Sequence, residues 1–164
     1  MKPKWWNKAK KYLSRRDKVT QKLIKAYKGH LTTRNNFFYS LTRSIISQQI
    51  SVAAADSVFS KFEKKCKNKI NPKTVQKLSI QDLKKCGLSK MKAIGIKSLA
   101  QKILDKSFNP KLIKKMTDEE AIIYLSSLRQ IGRWSAEMVL IFFYNRPNIW
   151  PVQDIGLLRA ISNN

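Results

Sequence analysis

Apolar residues recur at intervals of three and four along almost the whole chain, and this helical spacing is the strongest constraint on its fold. The chain has only five glycines and five prolines, too few for the many tight turns of a β-sandwich. No run of alternating residues indicates a strand. We therefore expect an all-α fold of roughly eight to ten short helices. The clearest helical sets are Val19, Leu23, Ile24 and Tyr27; Phe37 or Phe38, Leu41 and Ile45; Val52, Ala55, Val58, Phe59 and Phe62; and Ile96, Leu99, Ala100, Ile103 and Leu104.

Capping residues mark the predicted helix boundaries. Asn71-Pro72 and Asn109-Pro110 each place a capping asparagine before a proline at the first helical position. Ser79–Asp82 and Thr117–Glu120 have the composition of N-terminal caps followed by acids in the first turn. Gly87 lies where a left-handed residue would end a helix. These signals predict short helices joined by tight links.

The net charge is strongly positive and restricts the class of partner. The chain has 34 Lys and Arg residues against 10 Asp and Glu, a formal charge of +24. Such a charge favours a polyanion, either nucleic acid or an anionic membrane surface. The apolar stretch Met138–Tyr144 is too short to span a bilayer, and the first residues lack a signal-peptide pattern. We expect a soluble intracellular protein with no membrane partner.

Metal-ligating residue types are scarce. Cys66 and Cys86 are separated by 20 positions and His30 is the only histidine, so neither a four-cysteine site nor a multi-histidine site can form. Two reduced thiols are the ordinary interpretation of this cysteine content. We expect no metal and no cofactor.

A glycine turn at Ile131-Gly132 interrupts the helical spacing. One helix is predicted to begin after Thr117 and a second near Trp134 or Ser135, which makes a helix-hairpin-helix over residues 118–144. The second helix is apolar on most sides and should be central. Its free backbone N–H groups would suit a phosphate oxygen. A plain αα-hairpin with a glycine corner explains the turn equally well.

An aspartate lies between apolar residues in the last segment, WPVQDIGLLRA at 150–160. Asp154 should lie at the start of the last helix, where the positive helix end keeps a carboxylate ionised. A simple N-cap is the alternative explanation.

Four segments together resemble the helix-hairpin-helix DNA glycosylases of base excision repair, with DNA-3-methyladenine glycosylase II as the most similar branch. They span most of the chain from Ser44 to Ile161 in the order of that family. The segments are SIISQQISVAAADSVFSKF (44–62), CGLSKMKAIGIKSLAQKI (86–103), LRQIGRWSAEMVL (128–140) and WPVQDIGLLRAI (150–161).

The resemblance implies roles for individual residues. Asp154 matches the catalytic aspartate, which would stabilise an oxocarbenium-like sugar or activate water. Trp134 occupies the position where bifunctional relatives carry a lysine nucleophile, so the implied enzyme has no AP-lyase activity. Trp134 would stack on the flipped base unless it packs in the core, and Met138 stands where some relatives place a pocket tyrosine. Gln49 matches the wedge that fills the gap left by a flipped base. The residues expected to contact DNA are Gln48, Gln49, Ile131, Gly132, Arg133, Ser135 and Lys90, with Lys92 as a further diffuse phosphate contact.

The implied architecture has two lobes. Residues 1–35, completed by 145–164, should form one lobe, and residues 36–144 the central lobe, with 145–164 carrying the aspartate. Two departures from the family pattern stand out. Gln130 replaces a turn glycine, and the chain stops at Asn164, so we expect the C-terminal helices of the fold to be truncated and apolar surface to be exposed beside the N-terminal helices.

The implied function is monofunctional excision of alkylated purines, 3-methyladenine and 7-methylguanine, from double-stranded DNA. The expected state is a monomer, cytoplasmic in a bacterium or nuclear in a eukaryote. Three alternatives stay open: a catalytically inactive DNA-binding module, a glycosylase for another damaged or mismatched base, and a basic protein that binds RNA or membrane.

Overall fold

The computed structural model describes residues 2–32 and 34–163. These residues form ten α-helices, one 3₁₀ helix and no strand, so the all-α prediction is confirmed. None of the helices found there has the length and apolar character needed to cross a bilayer. The α-helices are α1 (Trp6–Arg16), α2 (Lys18–Ala26), α3 (Phe37–Ser47), α4 (Val52–Lys65), α5 (Pro72–Gln76), α6 (Ile80–Lys85), α7 (Lys90–Leu104), α8 (Asp118–Ser126), α9 (Arg133–Phe142) and α10 (Ile155–Ser162), and the 3₁₀ helix is Pro110–Lys115.

The predicted helix starts are confirmed by their hydrogen bonds. Ser79 and Asp82 form a complete capping box at α6, and Thr117 and Glu120 form another at α8. Gly87 adopts a φ of 98°, as expected for a residue that follows a helix end. Asn71-Pro72 begins α5, while Asn109-Pro110 begins the 3₁₀ helix.

Helix α7 and the two hairpin helices, α8 and α9, form the core beside the candidate site. Helix α7 packs against α3, α5 and α6, and α9 packs against α8 and α3. Burial of large side chains from these elements is complete or nearly so, and it stabilises the fold through removal of apolar surface from water. Side chains with almost no exposed surface include Leu41, Ile45, Ile46, Phe62, Leu83, Ile96, Leu125 and Leu140.

The N-terminal helices α1 and α2 pack on each other and bury none of their own residues. The predicted apolar residues of α2 therefore do lie on a helix, but none of them is buried, and Val19 and Leu23 are both exposed. The Trp5 indole Nε1–H donates to the Asn145 carbonyl at 2.8 Å, which links this end of the chain to the segment after α9. The boundaries of the two lobes stay a prediction.

Candidate active site and DNA interface

The turn between α8 and α9 is anchored by an apolar side chain. Ile131 is buried, so its side chain packs in the core and anchors the turn there. Gln130, which replaces the family's usual glycine, adopts a φ of 69°, a left-handed conformation that costs a non-glycine residue energy. Helix α9 begins at Arg133 with Gly132 as its N-cap, slightly earlier than the sequence predicted.

Gly132 leaves the start of α9 without a side-chain cap. Among the α-helices of the described residues, α2 to α8 and α10 begin with a side chain that accepts a backbone N–H, whereas α1 and α9 do not. A Cβ built on Gly132 would meet no atom within 4 Å. The first N–H groups of α9 thus lack a side-chain cap and the space beside Gly132 is open, so this helix end suits an anion.

Arg133 is held by two carboxylates. Its guanidinium donates to both Glu119 oxygens at 2.7 and 2.8 Å and to Glu137 at 3.2 Å. Hydrogen bonding to Glu119 is the main reason that the pKa of the guanidinium is raised. Arg133 therefore joins α8 to α9, and its expected contribution to phosphate binding stays a prediction.

Asp154 caps α10 and contacts Trp134. Its Oδ1 accepts the Leu157 backbone N–H at 2.8 Å, and its Oδ2 accepts the Trp134 indole Nε1–H at 2.9 Å. The Leu157 bond, followed by the Trp134 bond, lowers the pKa of the carboxyl because both donors stabilise the charged form. Asp154 is thus an oriented, ionised carboxylate.

Trp134 is more exposed than a core residue. The side chain is 38% exposed, so the core-packing interpretation does not fit, and one edge of the indole is fixed by Asp154. Met138 lies one turn further along α9 and is half-buried. Both residues predicted to contact the base therefore lie on α9, the helix whose N-terminus has no side-chain cap. Their roles stay predictions.

The glutamines after α3 meet the hairpin. The Gln48 amide donates to the Gln130 carbonyl at 2.8 Å and to the Ser135 hydroxyl at 3.2 Å. Ser135 is buried, and its hydroxyl accepts the Gln48 hydrogen bond. If Ser135 contacts DNA, the contact would therefore use its backbone. Gln49 is exposed and has a φ of 57°. The structure thus brings Gln48 to the hairpin and leaves the side chain of Gln49 free to project.

Lys92 does not match its expected role as a diffuse phosphate contact. Its Nζ donates to the backbone carbonyls of Ile46 at 2.8 Å and Gln48 at 2.6 Å. The expectation was wrong because the α7 side chain reaches the C-terminus of α3, which cannot be seen without tertiary structure. Lys90 is exposed at the start of α7, as a phosphate contact requires.

A cleft of about 960 Å³ brings most of these residues together. Sequence reasoning missed Met91, a lining residue that is 48% exposed; its exposure is decided by the tertiary structure, so the sequence offered no local signal. Asp154 adjoins this cleft through its bond to Trp134. Within the described residues no three potential ligands of a metal ion cluster together. The lining includes Gln48, Gln49, Met91, Lys92, Gln130, Ile131, Gly132, Trp134 and Ser135.

A larger cavity of about 1230 Å³ lies at the other end of α9, beside Phe143 and Tyr144. None of the predicted site residues lines it. Most of the predicted site residues therefore lie at the smaller cleft, beside the N-terminus of α9.

Comparison with known proteins identifies the family of the chain. Residues 42–163 match the family described as HhH-GPD superfamily base excision DNA repair protein. The chain is 31% identical over 159 residues to the alkylbase DNA glycosidase-like protein mag2 of Schizosaccharomyces pombe, covering 93% of this chain and 75% of that protein.

Solved structures show the same fold. The 3-methyladenine DNA glycosylase Mag1 of Schizosaccharomyces pombe, in complex with abasic DNA, aligns with a TM-score of 0.75 at 28% identity, over 92% of this chain and 76% of that one. A DNA-3-methyladenine glycosidase of Bacillus halodurans aligns with a TM-score of 0.74 at 28% identity, over 80% of this chain and 61% of that one. The chain thus spans between 61% and 76% of the length of these relatives. It belongs to the HhH-GPD superfamily of base excision DNA repair proteins.

Proposed function

We propose that this chain is a monofunctional DNA N-glycosylase that releases alkylated purines from duplex DNA. The observation that carries the proposal is the hydrogen bond between Trp134 and Asp154 beside an uncapped helix N-terminus. It brings an ionised carboxylate that adjoins the cleft together with an aromatic side chain and an uncapped helix N-terminus that line it. Relatives named for 3-methyladenine glycosylase activity support the choice of substrate.

The chemistry follows from the charges of the reaction. Cleavage of the N-glycosidic bond builds positive charge on the sugar, and the fixed Asp154 carboxylate stabilises that charge. An alkylated purine is already cationic and leaves as a neutral base, so the reaction needs no strong general acid. The electron-rich indole of Trp134 provides a face on which such a cationic base stacks.

The absence of AP-lyase activity rests on Trp134. An indole nitrogen is not nucleophilic, so it cannot form the Schiff base that a lysine forms in bifunctional relatives. The expected product is an abasic site in an intact strand.

A second candidate is a DNA-binding module without catalysis. It is favoured by one observation: α10, which carries Asp154 at its start, buries none of its residues. In this case the hairpin and the basic surface bind DNA, but the aspartate is not held well enough for catalysis.

The test is base release from methylated duplex DNA by the wild type, Asp154→Asn and Asp17→Asn. Asp17 is a matched control because it also caps a helix, α2, through its side chain. We expect Asp154→Asn to lower base release by roughly 10²–10³-fold, the size typical of losing one preorganised electrostatic group. Asp17→Asn should retain activity, and all three proteins should bind DNA.

Free bases are separated chromatographically, and strands are analysed with and without alkali. Strand breaks that appear without alkali would contradict the monofunctional assignment. Full activity of Asp154→Asn would remove Asp154 from the mechanism. DNA binding without base release by the wild type would select the non-catalytic module.

A further inference from the structure

Lys92 contacts the segment that precedes the predicted wedge. The residue lies near the start of α7, and its half-buried ammonium is placed between two backbone carbonyls of another helix, those of Ile46 and Gln48, at 2.8 and 2.6 Å. Burial lowers the pKa of this ammonium, because loss of solvent contact opposes the charged form. A favourable interaction must therefore offset the desolvation of the Lys92 ammonium.

The end of α3 supplies that interaction. This helix has no basic residue in its last turn, and its final carbonyls have no partners within the helix. A cation near a helix C-terminus is favourable because it opposes the negative end of the helix dipole. Lys92 therefore caps α3 from outside, through a contact between helices that are distant in sequence.

The backbone conformation of Gln49 depends on the orientation of the Gln48 carbonyl. Gln49 adopts a left-handed φ of 57°, which is unfavourable for a residue with a Cβ and persists only where neighbouring contacts impose it. Lys92 fixes the carbonyl of Gln48, and Gln130 and Ser135 fix its side chain. The peptide that leads into Gln49 is thus held from both sides.

We propose that Lys92 is a positioning residue that sets Gln49 at a fixed offset from the helix-hairpin-helix turn. The proposal rests on the proposed function and on the wedge role that the family resemblance implies for Gln49, which would fill the space of a flipped nucleotide while the turn holds a phosphate. Lys92 then determines selectivity for DNA that lacks a stacked base, whereas general DNA affinity depends on other contacts.

Lys97 provides a matched control on the same helix. Its Nζ also donates to two backbone carbonyls, those of Gln76 at 2.9 Å and Leu78 at 2.6 Å. These carbonyls lie at the end of α5, and neither Lys97 nor its partners line the cleft. Loss of Lys97 should therefore cost similar stability without moving Gln49.

The experiment measures equilibrium binding to an abasic duplex and to the matched intact duplex. The proteins are the wild type, Lys92→Met, Lys92→Arg, Lys97→Met, Gln49→Ala and the double variant Lys92→Met/Gln49→Ala. We expect Lys92→Met to lower the preference for abasic DNA on the order of tenfold, as loss of hydrogen bonds to a charged group implies. Lys92→Arg retains donors for both carbonyls and should keep most of the preference.

The double variant separates positioning from a merely structural effect. If Lys92 acts through Gln49, Lys92→Met should lower the preference no further once Gln49 is alanine. Thermal unfolding should show comparable losses for Lys92→Met and Lys97→Met, while Lys97→Met keeps the preference for abasic DNA. If Lys92→Met does not fold, Lys92→Gln, which keeps an amide donor, takes its place in the same comparisons.

Three results would overturn the proposal: additive effects of Lys92 and Gln49, equal loss of preference in Lys97→Met, or an unchanged preference in Lys92→Met. Binding to an abasic duplex requires no base release. A wild type that releases no base but shows the non-additive pattern therefore refutes the proposed activity and leaves Lys92 in its positioning role.

Discussion

Trp134 and Asp154 are 20 positions apart in sequence and meet through one hydrogen bond of 2.9 Å. The bond orients the indole face and helps to lower the pKa of the carboxyl, after the larger effect of the Leu157 N–H. Because the folded pKa lies below the unfolded one, the ionised carboxylate contributes stability that is present above the unfolded pKa and is lost as pH falls through the folded pKa. Asp154 thus stays charged at neutral pH.

Replacing Trp134 by phenylalanine should raise the pKa of Asp154. The variant removes the indole donor but keeps the Leu157 donor, so the pKa should move toward the ordinary value without reaching it. NMR titration of the side-chain carboxyl carbons measures the shift, with Asp17 in the same spectra as an internal control. An unchanged pKa of Asp154 would show that the indole does not stabilise the carboxylate.

Helix α7 and the hairpin turn fit together through a glycine. Gly95 is buried within α7, and a Cβ built on it would lie 2.7 Å from Cγ and 3.2 Å from Cβ of Gln130. A methyl group there would displace the turn residue that carries the left-handed φ. The absence of a side chain at Gly95 thus makes room for Gln130, which stands where the family usually has glycine.

This fit predicts a strong coupling between the two positions. Gly95→Ala should destabilise the wild type by about 1–3 kcal/mol through overpacking. In a Gln130→Gly background the same change should be neutral or stabilising by up to about 1 kcal/mol, since only the helix preference of alanine remains. Urea unfolding of the four proteins gives the coupling energy. Equal costs in both backgrounds would show that Gln130 does not require the glycine.

The whole molecule carries a formal charge of +24, which far exceeds the few charges that contact a ligand in one cleft. Some of this charge is internally engaged, as with Lys92, Lys97 and Arg133, whose hydrogen bonds hold helices together. The remaining cations supply an affinity for duplex DNA that is independent of base sequence and of damage. In the proposed function, selectivity then comes from the predicted wedge, Gln49, and from the cleft.

A change in salt concentration should therefore alter the affinity for DNA but not the preference for abasic over intact duplex. Raising salt from about 50 to about 200 mM should weaken binding to intact duplex by roughly 10²-fold or more, since phosphate contacts release counterions. The ratio of affinities for abasic and intact duplex should change little, because both complexes share the electrostatic part. Binding titrations at several salt concentrations measure both quantities. A ratio that falls in parallel with affinity would mean that charged contacts create the selectivity.

Local sequence signals predicted the elements well. Capping residues and apolar spacing gave the helix starts at Asn71, Ser79 and Thr117, and Gly87 marked a helix end, because each signal acts within a few residues. The apolar spacing of α2 predicted its helix but not that its face would be open. Spacing shows which residues share a face, whereas burial depends on what packs against that face.

Part of the candidate site was also readable from the sequence. Asp154 as an N-cap and Gly132 as the turn glycine follow from local spacing, and the residues around them resemble a known family. Arg133 and Ser135 were expected to contact DNA, and those contacts stay predictions, but their side chains also bind Glu119 and Gln48. Lys92 was expected to be a diffuse phosphate contact, whereas its ammonium binds the end of α3. Long cationic side chains reach several partners, so their contacts cannot be assigned from sequence.

The sequence by itself determined the all-α class, the helix boundaries and the position of the hairpin, because these depend on interactions within one or two helical turns. The tertiary structure alone decided that Trp134 meets Asp154, that Gln48 binds the turn and that Lys92 caps α3. Each of these contacts joins residues at least 20 positions apart. Such contacts form only when helices pack, so their physical cause is the shape of the core that the helices share.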